Sequence, residues 1–481
     1  MPDVDSRSGL LLDVIRRRWL HISLLLLLLL AMAPTPAPLR LIREMQNAEN
    51  AAHAGQYAEA LEHIAHALAL EPQMTGLYEP AFNLAVRIED LSAAQTYLTA
   101  MRNTQSNSTD LECLKLDLLM AEQAYESALT HTRQRALNCP QAVPVLEKLA
   151  GIAQEQMDRA QEETALQLLQ DISPKPQMAM RLGLLQAVHD PIAARNTLKA
   201  AGALQADGPA LVRELFQAME NTIPEGLPAF TFAQNGMILA SHKQWQLAVD
   251  AFTHAVELEP EYVDAHAYLG LSLDQAGRDG LKNLQEAIRL EWSHSLAHLF
   301  LGMHWLNQGN LPDAQAEFAL ANRFDPQNPT ILAQMAAATS YEGDTEQALI
   351  LYQRAAESAP EDQNFWLLLA QFSLSQEVRV TDIGVPAARK ALIADPQSAS
   401  ANDALGYGYY LLNQPELAER FLLQAIALDP SLASAQYHAG MLWIQKQELN
   451  KARDAFQRAF ELDPDGVIGQ SAQSALRDGG N

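Results

Sequence analysis

An all-α solenoid of short antiparallel helix pairs is the fold class this sequence predicts, and three observations predict it. Proline recurs at a near-constant interval: Pro260, Pro326, Pro360, Pro396, Pro430 and Pro464 are separated by 66, 34, 36, 34 and 34 residues. Between these prolines, apolar residues fall three and four apart, the helical signature, and loop residues such as Gly309-Asn310 and Gly343-Asp344 break the pattern at its midpoint. Aromatics make up only 6% of the chain, and its wealth of alanine and aliphatic residues suits helix-on-helix packing. At 481 residues the chain exceeds what one compact core holds, so an array of repeats is expected.

The N-terminal segment comes first. Arg16, Arg17 and Arg18 precede an apolar stretch over 19–33 that contains seven consecutive leucines, 24–30. A basic flank followed by an apolar run directs export, with the arginines retained in the cytoplasm. Residues 1–18 therefore read as a cytoplasmic tail and 19–39 as one transmembrane signal-anchor helix. Ala31-Met32-Ala33 has the small residues of a cleavage site, but Pro34 follows it, and a ring that fixes the backbone and removes an N–H makes a poor cleavage substrate. The anchor is the preferred reading. Cleavage, leaving a secreted or periplasmic protein, is the alternative, and both place the remaining chain outside the cytoplasm.

Residues 41–222 form a weakly patterned helical array. The copy at 41–74 is clear (GQYAEALEHIAHALALEP), and 109–142 is recognisable from AYESAL and Pro140. The stretches 75–108 and 143–176 fit by length, and 177–222 is helical without a register. Cys113 and Cys139 are the two cysteines, too few for a disulfide framework or a zinc site. In the repeat register they lie at the same end of one hairpin. They form a disulfide if that end faces an oxidising compartment and remain buried thiols otherwise. Residues 221–228, NTIPEGLP, read as the boundary to the next array.

Seven stronger copies follow at 229–262, 263–294, 295–328, 329–362, 363–398, 399–432 and 433–466. Proline closes each second helix because it cannot donate the backbone hydrogen bond and disfavours helical geometry before it. The 263–294 copy carries Trp292 where its proline belongs. The 363–398 copy is two residues longer, through VRVTDIGVP, so its turn is expected to bulge at the edge of the stack. Residues 467–477 read as a helix that caps the last apolar face, and 467–481 as cap plus tail.

Segments such as AYLGLSLDQAGR, LFLGMHWLNQGNLPDAQAEF and DALGYGYYLLNQPELAERF resemble the tetratricopeptide repeat. In that family's 34-residue pattern, positions 8 and 20 are small and position 24 is large. Here Gly270, Gly302, Gly406 and Gly440 match position 8, and Ala248, Ala314, Ala348, Ala418 and Ala452 match position 20. The resemblance implies a right-handed superhelical α-solenoid whose concave face is lined by positions 2, 5, 9 and 12 of the first helices. It therefore implies a protein-binding groove formed by Met237, Leu271, Leu299, Met303, Leu306, Leu367, Leu374, Tyr407, Tyr410, Tyr437 and Met441. An apolar groove with adaptable methionines and a tyrosine cluster suits an amphipathic helix or an extended apolar peptide.

No P-loop, dinucleotide fingerprint, HExxH helix or GxSxG elbow occurs, so no catalytic residue, cofactor, metal or small-molecule substrate is expected. His294 and His298 are four apart, but His294 falls in an inter-repeat loop. His63 and His66 are read as lying on the solvent side of a short helix. The formal charge of -25 repels phosphates and excludes nucleic acid as a partner. It reads either as a solvated acidic surface or as an attraction for a basic protein. The expected function is a membrane-anchored interaction scaffold or adaptor for a protein or peptide partner. The alternative is a regulatory or substrate-presenting subunit of a cell-envelope enzyme.

Overall fold

The computed structural model describes residues 39–104, 109–201 and 209–478. These contain 26 α-helices and no strand. The predicted membrane segment lies outside the described residues except for Leu39. Among the described residues no helix is long and apolar enough to cross a membrane. The chain divides into two compact units between Glu220 and Asn221.

The second unit opens with seven helix pairs, beginning with Pro228–Ser241 and Trp245–Leu258 and ending with Ala433–Gln445 and Leu449–Leu462. A final helix, Val467–Asp478, packs on the last pair and buries Ala472. Within each pair a small residue on the first helix receives a large one from the second. A Cβ built on Gly236 would lie 2.8 Å from Phe252, one on Gly302 2.5 Å from Phe318, one on Gly406 2.5 Å from Leu422, and one on Gly440 2.6 Å from Phe456. The receiving glycine lets the second helix seat its largest side chain against bare backbone, and Phe252 and Phe318 are fully buried there. Ala248, Ala314, Ala348 and Ala418 at position 20 are likewise fully buried.

The two copies of unusual length solve this packing differently. In the pair Val263–Gln275 and Leu281–Leu290, the span between the two small positions is two residues shorter, Gly270 to Gly280 against Gly302 to Ala314, and Gly280 stands where five of the other six copies have alanine. Its backbone touches that of Gly270. Asp274 accepts from the Gly280 N–H at 2.9 Å, and Asp279 accepts from the Leu281 N–H at 2.9 Å, holding the short turn. In the pair Gln363–Ser375 and Val385–Ala394, left-handed Glu377 is the turn residue that every copy has, and the two extra residues enter after it, with left-handed Arg379 and a π-helical turn, Val380–Gly384. The inserted turn keeps Arg379, Thr381 and Asp382 exposed, as a bulge at the edge requires, while Ile383 and Gly384 at its end are buried and Gly384 lies against Ser373 and Leu374.

A second recurring device joins successive repeats. The carbonyl at the repeat-ending position is capped by a buried side chain six residues later. His266 bonds Pro260 O at 3.0 Å, His298 bonds Trp292 O at 2.8 Å, and the Trp366 indole donates to Pro360 O at 2.8 Å. Each cap satisfies a carbonyl in the turn just past a helix end, a backbone acceptor that burial would otherwise leave without a partner. His298 is fully buried and its Nδ1 meets Glu317 Oε2 at 2.6 Å.

Burial opposes the charging of His298, but its bonds to Glu317 and Trp292 O prevail and raise its pKa above the ordinary histidine value. A raised folded-state pKa stabilises fully below the unfolded value, about 6.5, and that contribution fades as pH rises through the folded value. His298→Gln is therefore expected to destabilise by about 1–3 kcal/mol at pH 6. The gap from the native chain should narrow between pH 6 and 8 in denaturant titrations. A gap independent of pH would refute the charged pairing.

The first unit begins with the helix pairs Leu39–His53 with Tyr57–Leu70 and Tyr78–Arg87 with Leu91–Thr104. The segment without a sequence register contains Pro176–Gln186 paired with Pro191–Ala200, followed by Ala210–Thr222. Gly183 takes the small-residue place, its added Cβ falling 2.3 Å from Leu198. Cys113 and Cys139 are joined, with a Cα–Cα distance of 5.5 Å.

Candidate protein-interaction surface

First helices of consecutive repeats in the second unit contact one another, while each second helix bridges mainly to the first helix of the next repeat. The first helices thus form one continuous face, and the expected groove residues can be located on it. Met237, Leu271, Met303, Leu306, Leu367, Tyr407, Tyr410, Tyr437 and Met441 are half-buried, each keeping some surface open. Leu299 and Leu374 do not belong with them. Both are 1% exposed and sit in the apolar core between hairpins, where they are out of a partner's reach. Position 5, which Leu299 occupies, is buried in five of the seven copies, and in the 363–398 copy Gly384 lies against Leu374.

The most elaborate part of this face lies on Ala399–Leu411 and Ala433–Gln445. The Tyr407 ring stacks on His438 at 4.1 Å with an interplanar angle of 8°, and on Tyr410 at 6.1 Å. Tyr437 stands 5.9 Å from His438 and 5.6 Å from Phe456. Beneath them Asp403, buried, accepts from Ser434 Oγ at 2.7 Å and meets His438 Nδ1 at 2.7 Å. Asp403 fixes the imidazole, and the imidazole fixes the tyrosine stack.

Burial, reinforced by the charge of Glu377, pushes the Tyr407 hydroxyl above the ordinary phenol range. Tyr410 is raised by burial, then by Tyr437 and Glu377. Both stay neutral and present hydroxyls and ring faces in a negative field. Sequence reasoning missed Asp403 and His438. The available signal was an aspartate at position 5, where the 295–328, 363–398 and 433–466 copies carry Leu299, Leu367 and Tyr437.

The histidines flagged in sequence are bound into the scaffold or into local pairs. His294 and His298 do not converge on a shared point: His294 Nε2 meets Asp264 at 2.8 Å and its Nδ1 caps Ala297 N, while His298 faces Glu317. Asp274, Asp279 and His304 cluster closely, yet Asp274 is occupied by His304 Nδ1 at 2.9 Å and by the Gly280 N–H. His63 is partly buried rather than on an open face, and Glu44 from the neighbouring helix reaches its Nδ1 at 2.7 Å.

A profile described as tetratricopeptide repeat matches residues 277–329, 336–399 and 404–467. These residues carry tetratricopeptide repeats. The chain is 28% identical over 240 residues to the protein CTR9 homolog of Arabidopsis thaliana, covering 47% of this chain and 22% of that protein. It is 26% identical to the human DnaJ homolog subfamily C member 7, covering 49% of this chain and 51% of that protein. The chain spans about half the length, or less, of these curated relatives. Among solved structures, yeast Tom70 aligns over 91% of this chain and 95% of its own with 14% identity and a TM-score of 0.40. Pseudomonas aeruginosa PilF aligns over 45% of this chain and 98% of its own with 18% identity and a TM-score of 0.38. Tetratricopeptide-repeat proteins act as protein-interaction scaffolds and are typically non-enzymatic.

Proposed function

We propose that the chain is a membrane-tethered adaptor that holds a partner peptide or helix against the first-helix face of its tetratricopeptide repeats. The observation that carries this is the Tyr407, Tyr410, Tyr437 and His438 cluster, held half-exposed by buried Asp403. Rigid tyrosines offer contact area and hydrogen bonding at low entropic cost, and half-buried Met303 and Met441 adapt to an irregular apolar ligand. Glu377 and the net charge of -25 favour a partner that sets a basic residue against the ring faces.

Photocrosslinkers at Met303 and Tyr407 are expected to trap one discrete partner in cells, while one at Ile393, exposed on a second helix, traps none. Tyr410→Ala should weaken that partner's affinity by roughly 30-fold, the scale of a 2 kcal/mol hot spot. Equal labelling from all three positions, or no effect of Tyr410→Ala, would sink the reading.

The tether is proposed from Arg16, Arg17, Arg18 and the 24–30 leucine run. The Cys113–Cys139 bridge supports placing the repeats in an oxidising compartment. Native chain from cells is expected to show no free thiols before reduction and two after it, and to sediment with membranes. Two reactive thiols in the unreduced chain, or a mature N-terminus near residue 34, would each count against part of this placement.

A further inference from the structure

Glu44, His63 and His66 converge in the first helix pair, and no part of the interaction surface uses them. Glu44 comes from Leu39–His53, and the histidines lie three residues apart, nearly one turn, on Tyr57–Leu70. Their ligand atoms all lie within 4.8 Å of one another. Glu44 Oε2 is 2.7 Å from His63 Nδ1 and 3.8 Å from His66 Nδ1. A tetrahedral ion with bonds of about 2.1 Å holds its ligands about 3.4 Å apart, a value bracketed by those two distances.

We propose that Glu44, His63 and His66 form a binding site for a divalent ion of the zinc class. The donor set is chemically suited: two imidazoles and one carboxylate are a common three-ligand set for late first-row divalent ions, and they leave a further position open. The backbone of a helix hairpin fixes two of the three donors. Glu44 and His63 are each about one-quarter exposed, whereas His66 is 69% exposed and free to close over the ion. Glu59 Oε1 lies 4.0 Å from His63 Nε2, beyond hydrogen-bond reach but close enough to add negative charge beside the ring. Asn47, Arg40 and Arg43 line the open side, so the remaining position faces water or an anionic ligand. Asp274, Asp279 and His304, the other group of comparable closeness, are committed to hydrogen bonds that shape a turn. At the first site the one strong bond, between Glu44 and His63, is the one that an ion would replace.

The test is cobalt(II) titration of the full, tag-free chain after chelator treatment, followed by competition with zinc(II). One cobalt ion per chain is expected, with the visible absorption bands of a low-coordinate nitrogen–oxygen site, lost when zinc displaces it. His66→Asn and Glu44→Gln should each raise Kd by more than about tenfold, since even an outer partner's loss costs about that much. His53→Asn, on the same helix pair but outside the cluster, should leave Kd unchanged. Circular dichroism of each variant separates a lost site from a lost fold, and His66 is exposed enough that its replacement preserves the hairpin. Cobalt binding unaltered in His66→Asn and Glu44→Gln, or no stoichiometric uptake at micromolar concentrations, would overturn the assignment.

Discussion

Gly280→Ala is expected to be among the most damaging single substitutions in the second unit, costing about 3 kcal/mol or more. A Cβ at Gly280 would fall 2.0 Å from the Gly270 carbonyl oxygen and 2.7 Å from its carbon. These are backbone atoms that no rotamer change can move aside. The helices Val263–Gln275 and Leu281–Leu290 would have to part by more than 1 Å to restore ordinary contact, exposing Leu284 and Ala287, both fully buried. Overpacking a well-filled core costs typically 1–3 kcal/mol and more where backbone must shift.

The proper comparison is Gly277→Ala in the same turn. Gly277 has φ +74° but open space around it, so alanine there bears only left-handed strain of about 1–2 kcal/mol. Denaturant midpoints for the two variants measure the difference. Equal costs would mean that the Gly270–Gly280 contact is loose. Because repeats support one another mainly through nearest neighbours, hydrogen exchange should quicken most at this pair and the pairs beside it.

Arg181→Ala is expected to produce the largest effect in the first unit. Glu162 on Arg159–Ile172 is 2% exposed and receives the Arg181 guanidinium in two bonds, at 2.6 Å from Nε and 2.9 Å from Nη2. Removing one partner of a buried ion pair leaves an uncompensated charge and costs about 3–5 kcal/mol. The pair itself need not contribute that much, since replacing both members with apolar residues of similar size is often neutral or better. The double variant Glu162→Met/Arg181→Met should therefore recover most of the stability that Arg181→Ala loses. A loss below about 1 kcal/mol in the single variant would show that water reaches the carboxylate.

The same residues show how far the sequence could be read. The prolines, midpoint loop residues and position-8 glycines follow from local rules, and the all-α paired architecture could be read from them. Residues 177–222 resisted because the span between the two small positions of their hairpin is one residue shorter. Gly183 and buried Ala194 are eleven apart, where Gly302 and Ala314 are twelve apart, and a fixed 34-residue template passes over them. Gly280 and Gly384 escaped for the same reason, displaced by two residues in opposite directions. Leu299 and Leu374 were placed on the groove by register, yet whether such a residue faces a partner or the next hairpin depends on the rotation of its helix, which packing decides.

By itself the sequence determined the helical class, the period, the pairing of adjacent helices and the stripe on which an interaction surface would lie. Each of these depends on residues within about one repeat, where backbone periodicity, turn chemistry and proline's missing donor act. Only the tertiary structure decided which stripe residues remain open, how the off-length copies close with Gly280 and Gly384, and that Asp403 reaches His438. It alone also brought Glu44 to His63 and His66, and Arg181 to Glu162. Those contacts join side chains 19–35 residues apart on different helices, and their geometry depends on how far each helix turns as it packs.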